Sequence, residues 1–497
     1  MQIDFKTSIS ADKAQIFVPV IIQSDESLVD RLKSFFDTDI YLAGIDQAGE
    51  QVRVQKESIA LAIPYHNGLL HFNLIPIDTE ENYRQLKDKT RKVFQKQKLS
   101  LEQSSNVLYL GQVSNGLSLE QCQAILHGIY LYDYEVGIYK TTLKPTGKEI
   151  KLDILCSTDQ AQSIQSVLHE ALELATTQKD IFKLVDAPSN KKSPAVLAQY
   201  AEKVAEEGSP RLKTQVYELE AIKEHGFYGL LAVNQASPTP PVFIKMEYRC
   251  GNPNAKHIGV VGKGVTFDTG GVSLKRSANL HLMKSDMGGG AAVLGLMRLA
   301  DQLQLDINLT GIVPSTDNSI GQEAIKPSDV ISSYSGKTIE IIDTDAEGRL
   351  LLADGLSYME KHYNPDILLD IATLTGSCIT ALGTFAAGFI SNNPTLSNQL
   401  MKSGYSTGEK VWELPNWDEY NTLIRSNVAD VKNFSGYPRA GAITAAKFLQ
   451  HFIGDHSNWA HLDIAGMAME GDGSGGNQVA TAFGLHLMLD LLKHYEG

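Results

Sequence analysis

Val261–Gly290 reads VGKGVTFDTGGVSLKRSANLHLMKSDMGGG. The apolar run before it has the pattern of a strand and the apolar run after it that of a helix. Loops joining the two usually take two to six residues, and longer ones tend to be functional or disordered. This one carries Lys263, Lys275, Lys284, Asp268 and Asp286 among many glycines. It is too apolar and too rich in paired opposite charge to read as disordered.

Working outward, HIGVVG, DINLTGIVP, DILLDIAT, TFAAGFIS and WAHLDIA are short and nearly all apolar, as strands covered on both faces are. Helical periodicity fills the gaps, in GGAAVLGLMRLADQL, RLLLADGLSYMEKHY, AITAAKFLQHFI and VATAFGLHLMLDLLKHY. Alternation of this kind predicts an α/β domain with a central, mostly parallel sheet flanked by helices. Ligands in such sheets bind at the carboxyl ends of the strands, where Lys263, Asp268 and the loop around Asp345 fall.

Toward the N-terminus the pattern is again α/β but smaller. AQIFVPVII, SIALAIPY, LLHFNLIPI and NVLYLGQV read as strands between helical segments, with no cluster of catalytic residue types. The long amphipathic run from Thr158 predicts a linking helix. We therefore expect an N-terminal α/β domain over 1–157, a linking helix over 158–184 and a larger catalytic domain over 185–497.

Composition narrows the function. The chain has 497 residues, 43% of them hydrophobic and 21% charged, as in ordinary globular proteins. A net charge of -14 argues against a nucleic-acid partner, which needs a basic surface; the basic run Lys87–Lys98 reads as a solvated helix face. No apolar run approaches the length that spans a bilayer, and the opening MQIDFKTSIS lacks a secretory pattern, so the expectation is a cytoplasmic protein without membrane contact. Cys122, Cys156, Cys250 and Cys378 are widely spaced and read as reduced, mostly buried thiols.

The second dense cluster is IIDTDAEGR, Ile341–Arg349, after a hairpin-like SSYSGKTIE. Asp343, Asp345, Glu347 and Arg349 alternate, and in an extended stretch would project to one side. Carboxylates packed together repel and take up protons, so divalent cations are their natural neutraliser. Asp268, Asp286, Asp345 and Glu347 bring four negative charges, matching two divalent ions of the kind that activate a water jointly. On spacing alone, salt bridges with Lys263, Lys275 and Arg349 remain open. Ligand hardness by itself points to magnesium or manganese. His281 has no second histidine at ligand spacing and reads as structural. GKGVTFDTGG lacks the spacing of a phosphate loop, and its aspartate would oppose a phosphate.

VGKGVTFDTGGVSLK, LMKSDMGGGAA, DTDAEGRLLLADGL, DIATLTGSCITALG and WAHLDIAG, in this order and with fitting gaps, closely resemble the leucyl aminopeptidase (cytosol aminopeptidase, peptidase M17) family from about Phe182 onward. The resemblance implies a dizinc site in which Asp268 and Glu347 bridge both metals, Lys263 (as a neutral amine) and Asp286 complete one, and Asp345 the other. The family's zinc often exchanges for manganese or cobalt. The implied reaction releases N-terminal amino acids, leucine-like ones preferred, from peptides with a free N-terminus by means of a two-metal activated water. Lys275 would steady the oxyanion and Arg349 would hold a bicarbonate as general base. Met283, Thr373, Gly376 and the region near Ser474 resemble the lining of the first side-chain pocket, although Met283 reads equally well as core. A homohexamer is implied too.

This sequence departs from the family pattern at four places. Asp343 stands for the usual asparagine, KSDMGGG for RADMGGA, GSGGNQVA for a segment with an Arg-Pro pair, and STDNS, Ser315–Ser319, for a glutamate-containing turn. None removes a proposed ligand. Two other classes stay in view: a non-catalytic or DNA-linked regulatory protein on this scaffold, and a metal-dependent phosphohydrolase.

Overall fold

The computed structural model describes residues 2–6, 8, 14–21, 27–33, 35, 44–65, 68–101, 105–110, 117–136, 139–141, 150–471 and 478–495. The chain divides into two compact units, 1–176 and 177–497, and the helix Thr158–Asp186 crosses the division.

The first unit is built on six strands: β1 (Gln2–Lys6), β2 (Ala14–Ile21), β3 (Ile59–Tyr65), β4 (Gly68–Ile77), β5 (Ser105–Tyr109) and β6 (Lys151–Leu155). They lie in the order β1-β6-β5-β2-β4-β3, all parallel except the β3–β4 pair. Alternation along β2 explains the layering. Ile16, Val18 and Val20 face Leu28, Leu32, Ile45 and Val52 on one side, while Phe17 joins Leu86, Phe94, Ile125 and Ile129 on the other.

In the second unit the strands are β7 (Leu212–Tyr217), β8 (Val242–Arg249), β9 (His257–Gly262), β10 (Gly264–Asp268), β11 (Asn308–Asn318), β12 (Val330–Ser332), β13 (Thr338–Glu340), β14 (Ile367–Ala372), β15 (Ala387–Ser391), β16 (Val411–Glu413), β17 (Val431–Lys432), β18 (Trp459–Asp463), β19 (Met469–Gly471) and β20 (Gln478–Ala480). The main sheet runs β16-β15-β18-β14-β9-β11-β8-β7, with β10 beside β11. The central β18, β14, β9 and β11 are parallel, whereas β8 and β15 run against their central neighbours. The sheet is thus mixed, parallel where it is buried deepest. Every residue of β14 and β18 is buried, so their continuous apolar runs mark the middle of the sheet.

Three local expectations are corrected. Residues 264–268 of the long loop form the extra strand β10, because pairing with β11 satisfies their backbone. Val479 and Ala480, read as the start of the last helix, lie instead in β20, and that helix begins at Leu485. Residues 341–347 turn instead of running extended: Asp343 Oδ1 accepts the Asp345 N–H at 2.9 Å, so alternation does not place these side chains on one face.

Glycine at 289 seats the helix Gly288–Gln302 on the strand ends. A Cβ there would lie 2.1 Å from the Ile371 carbonyl oxygen, so the GGG run serves close backbone packing. Gly290 N then donates to Lys263 O at 2.8 Å, fixing the end of β9 against the helix start.

Candidate metal centre

Lys263 leaves the end of β9 and is buried. Its Nζ lies 2.7 Å from Asp286 Oδ2 and 2.8 Å from Glu347 Oε1, and donates to Thr373 O at 3.1 Å. Gly348 opens the helix Gly348–Tyr363 beside it, and a Cβ on that glycine would fall 2.4 Å from Lys263 Cε and 2.7 Å from Nζ. Asp268 ends β10. Its Oδ1 accepts from Gly270 N and Asn318 Nδ2, both at 2.8 Å, leaving Oδ2 for Lys275 Nζ at 2.8 Å. Lys275 also pairs with Asp345 and is partly exposed, on the open side of the cluster.

Ligand atoms of Asp268, Asp286 and Glu347 all come within 4.8 Å of one another, and the three residues are buried. Asp345 is outside that convergence, held with Lys275 at its rim. Thr373 Oγ1 orients Asp286 through a 2.7 Å bond to Oδ1.

The electrostatics agree on one direction. Burial works against a charged amine, yet Asp286, Glu347 and Asp268 outweigh it and hold Lys263 protonated above the ordinary lysine range. Burial and the other carboxylates push Asp286 well above the usual carboxylate range and Asp345 up to about 7. Four carboxylates against two ammonium groups leave the cluster short of positive charge, so it takes up protons.

Divalent cations fit this shortage. Glu347 Oε2 is buried without a polar partner among the described residues. Glu347 Oε1 and Asp286 Oδ2 meet Lys263 at ion-pair distance but without hydrogen-bond geometry. Such oxygens are costly to bury unless something cationic completes them.

Arg349 is buried in the first turn of the helix, two residues after Glu347, with Nη1 donating to Asn433 O at 2.6 Å and Nε without a polar partner among the described residues. Burial lowers it to about 10 against the pull of Glu347, Asp463 and Asp343. Met283 lies on the 3-10 turn Leu280–Ser285 and is part-buried; Gly376, opening the helix Gly376–Leu382, has open space where a Cβ would be. The region near Ser474, 472–477, lies outside the described residues.

Several positioning residues carry no motif signal. Asn433 is fully buried: Oδ1 accepts from Ile342 N at 2.8 Å, while Nδ2 donates to Asp343 O at 2.6 Å, pinning the loop that bears Asp345 and Glu347. Asp463 accepts from Leu374 N, Thr375 N and Thr375 Oγ1, shaping the turn before Gly376. Asp343 faces its own loop, so the departure from asparagine keeps the same acceptor atom. His281 is exposed, whereas Lys284 is part-buried and donates to Asp186 O at 2.7 Å. All four cysteines are free, three of them buried.

Residues 181–489 match the model of the cytosol aminopeptidase family, catalytic domain. The chain belongs to this family. It is 49% identical over 324 residues to a probable cytosol aminopeptidase of Chloroherpeton thalassium, covering 65% of this chain and 63% of that protein. A probable cytosol aminopeptidase of Chlorobaculum parvum is 43% identical over 386 residues, 77% and 76% of the two chains. The match thus spans a little under two thirds of the first relative's length and about three quarters of the second's. Two structures of the bottromycin maturation enzyme BotP, one in complex with Mn, are similar over 97% of this chain and 99% of theirs, with a TM-score of 0.78 and 26% identity. Among the described residues no helix is long and apolar enough to cross a membrane.

Proposed function

We propose that the chain is a metal-dependent aminopeptidase that removes N-terminal residues, leucine-like ones preferentially, from peptides. The observation that carries the reading is the buried convergence of Asp268, Asp286 and Glu347, with oxygens left uncompleted, in a chain of this family. Asp268, Asp286, Asp345 and Glu347 would hold two divalent ions, zinc with manganese or cobalt as exchangeable alternatives, and Lys263 would join them as a neutral amine once the ions' charge displaces the proton that the carboxylates hold on it. The ions would supply Lewis acidity toward a water and the scissile carbonyl.

The chain's own groups do the rest. Lys275, on the open rim and kept charged by Asp268, Glu347 and Asp345 against the effect of burial, would steady negative charge developing on the carbonyl oxygen. Arg349, with a buried Nε that has no polar partner among the described residues, would retain a bicarbonate as proton acceptor in place of a histidine. Met283, Thr373 and Gly376 would line the first side-chain pocket. Cytoplasmic location and a homohexamer belong to the same reading; Phe385 and Trp417, 81% and 64% exposed, are apolar surface that an assembly of copies would cover.

The test is metal analysis of the purified protein with a panel of aminoacyl anilides before and after chelation. Leucyl anilide should be cleaved, its N-acetyl derivative should not, and a chelator should abolish cleavage until zinc or manganese is restored. Hydrolysis of aryl phosphates without any anilide cleavage would instead place the chain among phosphohydrolases.

A further inference from the structure

The helix Thr158–Asp186 ends inside the catalytic unit, and its last carbonyls carry the negative end of the helix dipole. Two lysines meet it there. Lys192, only 3% exposed, donates from Nζ to Val185 O at 2.9 Å and to Lys284 O at 2.5 Å. Lys284 returns the contact, its own Nζ donating to Asp186 O at 2.7 Å. Asp186 in turn accepts the N–H of Ala480, on β20, at 3.0 Å.

Among the described residues, both acceptors of Lys192 are main-chain carbonyls. A buried ammonium without a carboxylate contact costs free energy that an apolar side chain of the same length would avoid. What the charge holds in exchange is specific: Lys284 lies on the 3-10 turn Leu280–Ser285, one residue after Met283 and two before Asp286. The turn's other bonds are local, Leu280 N to Ser277 O at 3.2 Å, Leu282 N to Asn279 O at 2.9 Å, Ser285 Oγ to Leu282 O at 2.7 Å and Asp286 N to Met283 O at 3.3 Å, while Thr373 Oγ1 and Lys263 Nζ hold the Asp286 carboxylate from the cluster side, both at 2.7 Å.

We infer that Lys192 is a positioning residue that clamps the 280–286 turn to the end of the long helix and thereby sets the place of Asp286 in the metal cluster. The inference rests on the proposed metal-dependent reading and adds a residue far from every motif. It touches neither metal nor substrate. Its effect reaches the cluster through the Lys284 carbonyl, so it falls on the ion that Asp286 holds more than on the ion at the Asp345 side.

The experiment is a chelator-competition titration of the metal-free full chain with Mn(II), natural protein and Lys192→Met in parallel, with the unfolding midpoint of each metal-free form. The natural chain should bind two ions, and Lys192→Met should bind one of them about tenfold more weakly and keep the other within twofold. A residue of merely structural value would lower the midpoint and leave both constants in place, or weaken both together; either result overturns the inference. If Lys192→Met does not fold, Lys284→Met, which removes only the return bond to Asp186 O, is titrated instead. It should weaken the same single ion about threefold, and two unchanged constants would overturn the clamp. No peptide is needed, so a natural chain that binds two ions and cleaves no anilide sinks the aminopeptidase reading alone. A natural chain that binds no ion removes both.

Discussion

Lys263 and Lys275 carry the same functional group on either side of Asp268, five residues before it and seven after, yet their surroundings divide their work. Lys263 is sealed between Asp286 and Glu347, while Lys275 reaches the rim beside Asp345. Replacing Lys275 with alanine should therefore cut turnover about a hundredfold or more, the loss typical of one oxyanion-stabilising donor, with both ions retained on metal analysis. Asp268→Ala should lose at least one ion; a variant that keeps two tightly bound would refute its placement between them. The sequence exposed these residues because clustered carboxylates with two lysines are rare outside charge-balanced sites. It did not expose Asn433 or Asp463, whose contacts join positions some ninety residues apart and leave no local pattern. Spacing also misled at Asp343–Glu347, where an aspartate bonding its own backbone turned a predicted extended run.

At the scale of elements, the buried parallel strands were readable because their apolar runs are continuous. The antiparallel neighbours β7 and β8 were not, since alternating or half-polar strands resemble loop when read without partners. β10 was hidden inside a glycine-rich loop for the same reason. The junction of β9 with the helix Gly348–Tyr363 depends on a missing side chain. Alanine at Gly348 suits a helix start, but its Cβ would occupy the space of the Lys263 amine. Gly348→Ala should keep the circular-dichroism spectrum and move the urea midpoint little, yet lower metal affinity at least tenfold; an unchanged affinity would show that Lys263 can find another path into the cluster.

Across the whole catalytic unit, one buried cation makes stability depend on pH. Burial lowers the Lys192 ammonium to about 7, the neighbouring Lys284 adds to the shift and Asp186 opposes it. Above that pH the folded chain has released the proton while the unfolded chain holds it up to the ordinary lysine range near 10.4. The unfolded state binds more protons in that window, so this residue makes stability rise with pH from about 7 toward 10. Urea midpoints at pH 6.5 and 9 should differ in that sense between the natural chain and Lys192→Met, with the variant showing the flatter profile.

The convergence of Asp268, Asp286 and Glu347 also has a kinetic meaning. These side chains hang from the ends of β10, the start of the helix beyond Ser285 and the turn before Gly348, and they approach only after β9, β11 and β14 have paired across long stretches of chain. Loop-closure entropy makes such pairings slow and late. Metal cannot therefore act as the nucleus of folding, as it does where a few residues wrap one ion. Refolding from urea should proceed at the same rate with manganese or with chelator present, followed by fluorescence, while the unfolding limb slows when the ion is bound.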